Sequence, residues 1–201
     1  MKGQARVSHR NPIPVYALWG AIGFAVGGAI AGSLQLDVKN PANPLTMSVM
    51  GAIGGASLGL VLRSWKKAGL MALAGGVGFA VGSLPSAMMI AFGLPHVKGN
   101  VYLGPIVFGV IILFIYGAIQ GIAGAASLLI VLRNLRTVRT LILAGALGFA
   151  IGAQAAWGWA MGLSIEITLA IWGAIGGSTL GASFGYLEKR RLGNPKASKG
   201  F

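Results

Sequence analysis

The residues able to carry acid–base or metal chemistry are few and scattered in this chain of 201 residues. The three acids are Asp37, Glu166 and Glu188, and the two histidines are His9 and His96. Catalysis by a pair of carboxylates needs both groups at one substrate, and the topology predicted below places the first two acids outside the membrane and the third inside, so the three cannot form one pair across it. Because the chain has no cysteine, iron–sulfur ligation and thiolate zinc sites are excluded. The sequence therefore predicts no enzyme, no metal site and no cofactor.

The remaining polar candidates are amides and hydroxyls inside apolar stretches. Gln120 stands in the phrase GAIQG, where two related phrases, at 51–55 and 173–177, read GAIGG. One interpretation is a polar lining for a passage or a ligand. The other, which we favour, is a hydrogen bond between helices, worth about 0.6 kcal/mol in a membrane. The candidate lining residues are Gln120, Gln154, Ser127 and Ser178.

The composition indicates that membrane helices position these residues. Hydrophobic residues make up 55% of the chain, charged residues only 9%, and the mean hydropathy is +0.78. A soluble domain of this size could not bury so much apolar surface. A spanning helix needs about 20 apolar residues, and transmembrane strands would alternate apolar and polar residues. We predict an all-α integral membrane protein with six spans, at 14–34, 45–62, 68–92, 103–132, 140–162 and 165–187.

The basic residues predict the orientation of these spans. All Lys and Arg except Lys39 and Lys98 fall in the N-terminal arm, the second and fourth connections and the tail. The positive-inside rule then places both termini in the cytoplasm. The net charge is +13, but the basic segments contain no interleaved aromatic residues of the kind that a nucleic-acid surface uses. We therefore expect no nucleic-acid partner. The residues predicted to contact anionic headgroups or acidic partners are Arg63, Lys66, Lys67, Arg133, Arg136, Arg139, Lys189, Arg190 and Arg191.

Two phrases recur three times along the chain. The phrase L-x-G-[AG]-[VIL]-G-F-A-[VI]-G occurs at 18–27, 73–82 and 143–152, and a GAIGG-like phrase occurs once in each of the even-numbered spans. Each unit is then a helical hairpin with two spans, so all three units have the same orientation in the membrane. We predict parallel, pseudo-threefold repeats of Gly-rich hairpins, at 1–67, 68–138 and 139–201.

The glycines of both phrases are spaced four residues apart and share helix faces. Lipid is as apolar as leucine, so close backbone approach at small residues holds membrane helices together. The predicted packing residues are Gly23, Gly27, Gly51, Gly55, Gly59, Gly78, Gly82, Gly117, Gly121, Gly148, Gly152, Gly173, Gly177 and Gly181. We expect the phenylalanines at 24, 79 and 149 to point away from the seam, toward lipid or a neighbouring hairpin. On this basis Gly78→Leu should destabilise the bundle far more than Phe79→Leu.

Two functions remain open on these grounds. The first is a non-catalytic structural or accessory subunit whose glycine faces pack against other membrane chains or a second copy. The second is a passive channel or facilitator for a small, mostly neutral solute along the pseudo-threefold axis. The two differ at the axis: glycine faces that meet there would make it solid, whereas glycine faces between hairpins would leave room for a lumen.

Overall fold

The computed structural model describes residues 11–34, 43–91, 103–132, 135–154 and 162–193, and every regular element within these ranges is a helix. The elements are α1 (Ile13–Ser33), α2 (Pro44–Val61), α3 (Trp65–Ala91), α4 (Leu103–Ser127), the single turn α5 (Leu129–Leu132), α6 (Leu135–Ala153) and α7 (Ile165–Gly193). Helices α1, α2, α3, α4 and α7 contain segments long and apolar enough to cross a membrane, while the apolar part of α6 is shorter. Five such helices are consistent with an integral membrane protein that crosses the bilayer several times.

The ends of α2 show why the helices begin and stop where they do. Asn43 caps the start, because its Oδ1 accepts a hydrogen bond from the Thr46 amide at 2.9 Å, and Pro44 occupies the first helical position. At the other end the amide of Arg63 donates to the Leu60 carbonyl at 2.8 Å. Arg63 has a φ of 53°, the left-handed conformation that reverses a chain after a helix, so α3 starts almost at once.

The helices form a closed ring in the order α1, α2, α3, α4, α6, α7 and back to α1. Neighbours run antiparallel, as Gly27 against Met50 and Gly181 against Tyr16 show for the two neighbours of α1. The starts of α1, α3 and α6 therefore share one end of the bundle with the last residues of α2 and α7. We call it the basic end, because Arg63, Lys67 and Lys189 lie there.

The bundle is apolar on the outside as well as inside. The leucine that opens the recurrent phrase is exposed in all three copies: Leu18, Leu73 and Leu143. Leu73 is the most exposed of these, at 70%. The fifth and ninth positions of the phrase are exposed as well; on α3 they are Val77 and Val81. Such a surface is suited to lipid or to other membrane chains and unsuited to water.

The helices extend beyond several of the predicted membrane spans, in most cases through charged residues that were taken as limits of the spans. Helix α3 starts at Trp65 rather than 68, α6 at Leu135 rather than 140, and α7 continues to Gly193 rather than ending at 187. Backbone hydrogen bonding continues through charged residues beyond the apolar stretch, so a helix outlasts its membrane span. The predicted span 103–132 is broken at Leu128, whose amide donates to the Ala125 carbonyl, three residues back, at 3.2 Å.

Candidate functional site: the bundle axis

Three phenylalanines meet at the centre of the bundle. The ring centroids of Phe24 and Phe79 are 5.5 Å apart, those of Phe24 and Phe149 5.4 Å, and those of Phe79 and Phe149 4.9 Å. All three side chains are buried, and both contacts of Phe149 are edge-to-face, a favoured aromatic geometry. We call this group the Phe triangle. It fills the axis at its own level.

We expected these phenylalanines to point away from the seam, toward lipid or a neighbouring hairpin. The lipid alternative was wrong, because all three are buried and each ring contacts the phenylalanines of the other two helix pairs. Each helix in the ring has two neighbours and therefore two seams. On α1, Gly20 lies against Gly177 of α7, while Gly23 lies against Ser57 of α2. Phe24 belongs to the side of the helix between these two seams, and that side faces the axis.

The GxxxG glycines of the recurrent phrase lie against the helix that follows in the chain. An ideal Cβ on Gly78 would fall 2.7 Å from the Ala123 carbonyl oxygen of α4, and one on Gly27 2.9 Å from the Met50 carbonyl oxygen. Real Cβ atoms essentially never come within 3.0 Å of such atoms. The six glycines of this group, from α1, α3 and α6, are Gly23, Gly27, Gly78, Gly82, Gly148 and Gly152.

The glycines of α2, α4 and α7 lie in the other three seams of the ring. In the α2–α3 seam, Gly51 and Gly75 are reciprocal, since a Cβ on either would overlap the carbonyl oxygen of the other. Gly121 and Gly145 repeat this relation between α4 and α6. The predicted packing glycines in these seams are Gly51, Gly55, Gly59, Gly117, Gly121, Gly173, Gly177 and Gly181. Each lies against another helix of this same chain.

The sequence prediction missed two sets of glycines. One set accepts the rings of the Phe triangle: Gly54 lies against the ring of Phe24, and Gly124 and Gly176 lie against those of Phe79 and Phe149. The other set is the first glycine of each phrase copy, Gly20, Gly75 and Gly145. The first set could have been found from the sequence. Gly54 and Gly176 are the fourth residues of the two GAIGG phrases, and Gly124 lies seven residues after the first glycine of GAIQG.

Hydroxyl groups lie opposite the middle glycine of each phrase copy. Ser57 lies against Gly23 and donates to the Gly54 carbonyl at 2.8 Å; it also reaches the Trp19 carbonyl of α1 at 3.2 Å. Ser127 is placed in the same way against Gly78. Its hydroxyl donates to the Gly124 carbonyl at 2.7 Å. Each of these hydroxyls thus bonds a carbonyl of its own helix while it packs in a seam.

Gln120 is completely buried one turn of α4 away from Gly124. Its Nε2 donates to the Phe79 carbonyl at 2.9 Å. Trp172 makes the same kind of bond in the α6–α7 pair, where its Nε1 donates to the Phe149 carbonyl at 3.0 Å. The amide of Gln120 thus links α4 to α3, which is the interhelical hydrogen bond favoured from the sequence. Its Oε1 has no hydrogen-bond partner among the described residues.

The other candidate lining residues are not brought to Gln120. Gln154 follows the last residue of α6, and its Nε2 lies 3.4 Å from the carbonyl oxygens of Val110 and Ala150. Ser178 donates to the Ile175 carbonyl of its own helix at 2.8 Å.

The axis differs on the two sides of the Phe triangle. Toward the basic end, the buried residues one turn beyond the ring-accepting glycines are Leu58, Leu128 and Leu180. Toward the opposite end, the buried side chains include the polar residues Thr46, Ser83, Gln120 and Thr168. The Thr168 hydroxyl, like the Gln120 Oε1, has no hydrogen-bond partner within the described ranges. Among the described residues, Ser57 is the buried polar side chain on the basic-end side, whereas four lie toward the opposite end, so the core is more polar toward the opposite end.

The predicted headgroup-contact residues that the structure describes lie on the surface. Arg63, Lys66 and Lys67 are exposed around the turn between α2 and α3, and Arg139 is exposed on α6. On α7, Lys189 and Arg190 are exposed as well, and the Arg190 guanidinium lies 5.6 Å from the ring centroid of Tyr186. Arg133 and the side chains of Arg136 and Arg191 lie outside the described residues.

The described residues contain no group of three His, Cys, Asp or Glu side chains that could hold a metal. Glu166 stands in the first turn of α7 and Glu188 near its end, about one helix length apart. Asp37, His9, His96, Lys39 and Lys98 lie outside the described residues. No protein-family description, no curated protein and no solved structure matches this chain.

Proposed function

We propose that this chain is a non-catalytic, multi-pass membrane protein that serves as a structural or accessory subunit. The observation that carries the proposal is the Phe triangle, supported by the apolar layer of Leu58, Leu128 and Leu180 beneath it. A packed axis of this kind suits a rigid scaffold better than a solute passage. The outward-facing apolar surface offers an area for other membrane chains or a second copy.

The proposal assigns the glycines to the chain's own bundle. Because the predicted packing glycines lie against helices of this chain, partner chains would meet the leucine and valine ridges that include Leu73 and Val77. Three tandem hairpins around a pseudo-threefold axis account for the likeness of the Gly23–Ser57, Gly78–Ser127 and Gly148–Thr179 contacts. Both termini are assigned to the cytoplasm, with the basic end facing anionic headgroups or acidic partners.

The test is the composition of the protein as it exists in its own membrane. Gentle detergent extraction, native electrophoresis and mass spectrometry of the band measure which chains accompany the 20.5 kDa protomer. We expect a fixed stoichiometry, either of other chains or of copies of this one. A lone protomer, recovered under several mild detergents, would contradict the proposal.

A passive channel remains the second candidate, and one observation favours it. The buried oxygens of Gln120 and Thr168 that lack partners within the described residues are acceptors that a small polar solute or water could use. Passage would require the Phe triangle to open. Liposome flux of small neutral solutes tests this: a basal flux that rises in Phe149→Ala would support a channel, and no flux in either protein would exclude passage along this axis.

A further inference from the structure

A groove of about 720 Å³ opens at the basic end of the bundle. Its wall comes from three places in the chain: the start of α1, the turn between α2 and α3, and the end of α7. The charged side chains in this wall are Arg63, Lys67 and Glu188, and its apolar side chains include Val15, Trp19 and Leu60. The groove does not involve the Phe triangle or the buried polar residues.

The groove combines two chemistries. Arg63 and Lys67 supply two cations, both on exposed side chains, and Glu188 supplies one carboxylate. The rest of the wall is largely apolar, and Val15 and Trp19 present half-exposed hydrophobic surface in it. A ligand that satisfies both parts must carry an anionic group and an apolar chain.

The position of the groove in the bundle points to the same ligand. It lies where helices end, and Trp19 and Trp65 are both exposed at that end. Tryptophan side chains with one wet and one apolar edge prefer the level of the headgroups. A phospholipid at that depth would place its phosphate beside the cations and an acyl chain along the apolar wall.

We propose that this groove binds one anionic phospholipid, its phosphate between Arg63 and Lys67 and one acyl chain against Val15 and Trp19. This inference rests on the proposed contact of the basic residues with anionic headgroups and narrows it to one site. A free phosphate would leave the apolar wall without a partner, and an acidic peptide would have to place polar backbone against Trp19.

Lys66 provides a matched control. It neighbours Lys67 in the first turn of α3 and is exposed as well, yet it does not line the groove. The full-length protein, in a mild neutral detergent, is titrated with phosphatidylglycerol and, separately, with phosphatidylcholine, and bound lipids are counted by native mass spectrometry. We expect one phosphatidylglycerol to bind before any other lipid. Arg63→Gln and Lys67→Gln should each weaken this binding by about tenfold or more, and Lys66→Gln by less than about twofold.

Equal weakening in all three variants would overturn the site and leave only a general attraction between the basic end and anionic headgroups. No selectivity for phosphatidylglycerol in the parent protein would overturn both the site and the proposed headgroup contact. Displacement of the lipid by millimolar inorganic phosphate would assign the groove to free phosphate instead. Because the substituted side chains are exposed, circular dichroism and gel filtration should be unchanged, which separates loss of binding from loss of fold.

Discussion

Gly20 and Gly177 approach so closely that a Cβ on either residue would overlap the carbonyl oxygen of the other. The pair joins the first and last helices of the chain and thereby closes the ring. At such a distance Cα–H groups contact carbonyl oxygens, and many backbone atoms come within van der Waals range. Since lipid offers apolar side chains as good an environment as a neighbouring helix, this close approach is what favours a closed ring.

The first prediction concerns this seam. Gly20→Ala adds a methyl group that must push α7 away, because its neighbour is backbone and cannot rotate aside. Overpacking of this kind costs about 1–3 kcal/mol. Gly69 of α3 is the matched control, since nothing lies within 4 Å of an added Cβ and a helical alanine is favoured over glycine. We expect Gly20→Ala to lower the unfolding midpoint in a detergent titration and Gly69→Ala to leave it unchanged or raise it.

Equal tolerance of alanine at Gly20 and Gly69 would mean that the α1–α7 seam does not hold the ring closed. A loss of stability at Gly69 alone would instead point to a contact made by a partner chain. Both variants carry one Gly→Ala substitution and differ only in its position. A difference in stability between them therefore cannot come from the substitution of glycine by alanine as such.

The second prediction concerns the Phe triangle and replaces the expectation that Phe79→Leu is mild. Phe79 contacts both other rings and fills the space left by Gly124. Removing a buried phenylalanine side chain costs about 3–5 kcal/mol in protein cores, so we expect Phe79→Ala to destabilise the bundle severely and Phe79→Leu to do so partly. Val77→Ala is the control, because Val77 is 62% exposed. Thermal unfolding followed by circular dichroism should show little change for the control; an equal change would place Phe79 outside the core.

The apolar stretches predicted where the helices lie, because membrane spans need continuous hydrophobicity whatever their neighbours are. The direction of Phe24 was not predictable in this way. It depends on how many helices touch α1, and only the ring shows that Gly20 and Gly23 contact different partners. Gln120 could be singled out from its phrase, but its partner, the Phe79 carbonyl, is a backbone atom that leaves no mark in the sequence.

The third prediction concerns Gln120. Met50 is buried in α2 four residues before Gly54, as Gln120 precedes Gly124, so the fold accepts methionine in this setting. Gln120→Met loses the bond to the Phe79 carbonyl but also removes an oxygen without a partner among the described residues. Such interhelical bonds are worth about 0.6 kcal/mol on average, so we expect a change in unfolding free energy below about 1 kcal/mol.

Gln120→Glu is the companion variant, because it keeps the shape and adds a carboxyl group, which in this buried position must either carry a charge or take up a proton. A carboxylate at the centre of a membrane helix costs about 2.5–3.5 kcal/mol on insertion scales, so this variant should be far less stable than Gln120→Met. Similar stability of the two variants would mean that water reaches Gln120, which would favour the channel candidate. The comparison therefore tests the packing of the axis as well as the hydrogen bond.

The fourth prediction concerns orientation, and the absence of cysteine makes it directly testable. Single cysteines are introduced by Lys66→Cys and Lys189→Cys at the basic end and by Leu163→Cys before α7, at the opposite end. With the basic end in the cytoplasm, a membrane-impermeant maleimide added to intact cells should label only the cysteine at 163. The other two should react after permeabilisation. Labelling of the cysteines at 66 and 189 from outside would mean that the orientation is opposite to the predicted one. Labelling of only one of them from outside would mean that they do not share an end of the bundle, which would contradict both the ring and the proposed lipid groove.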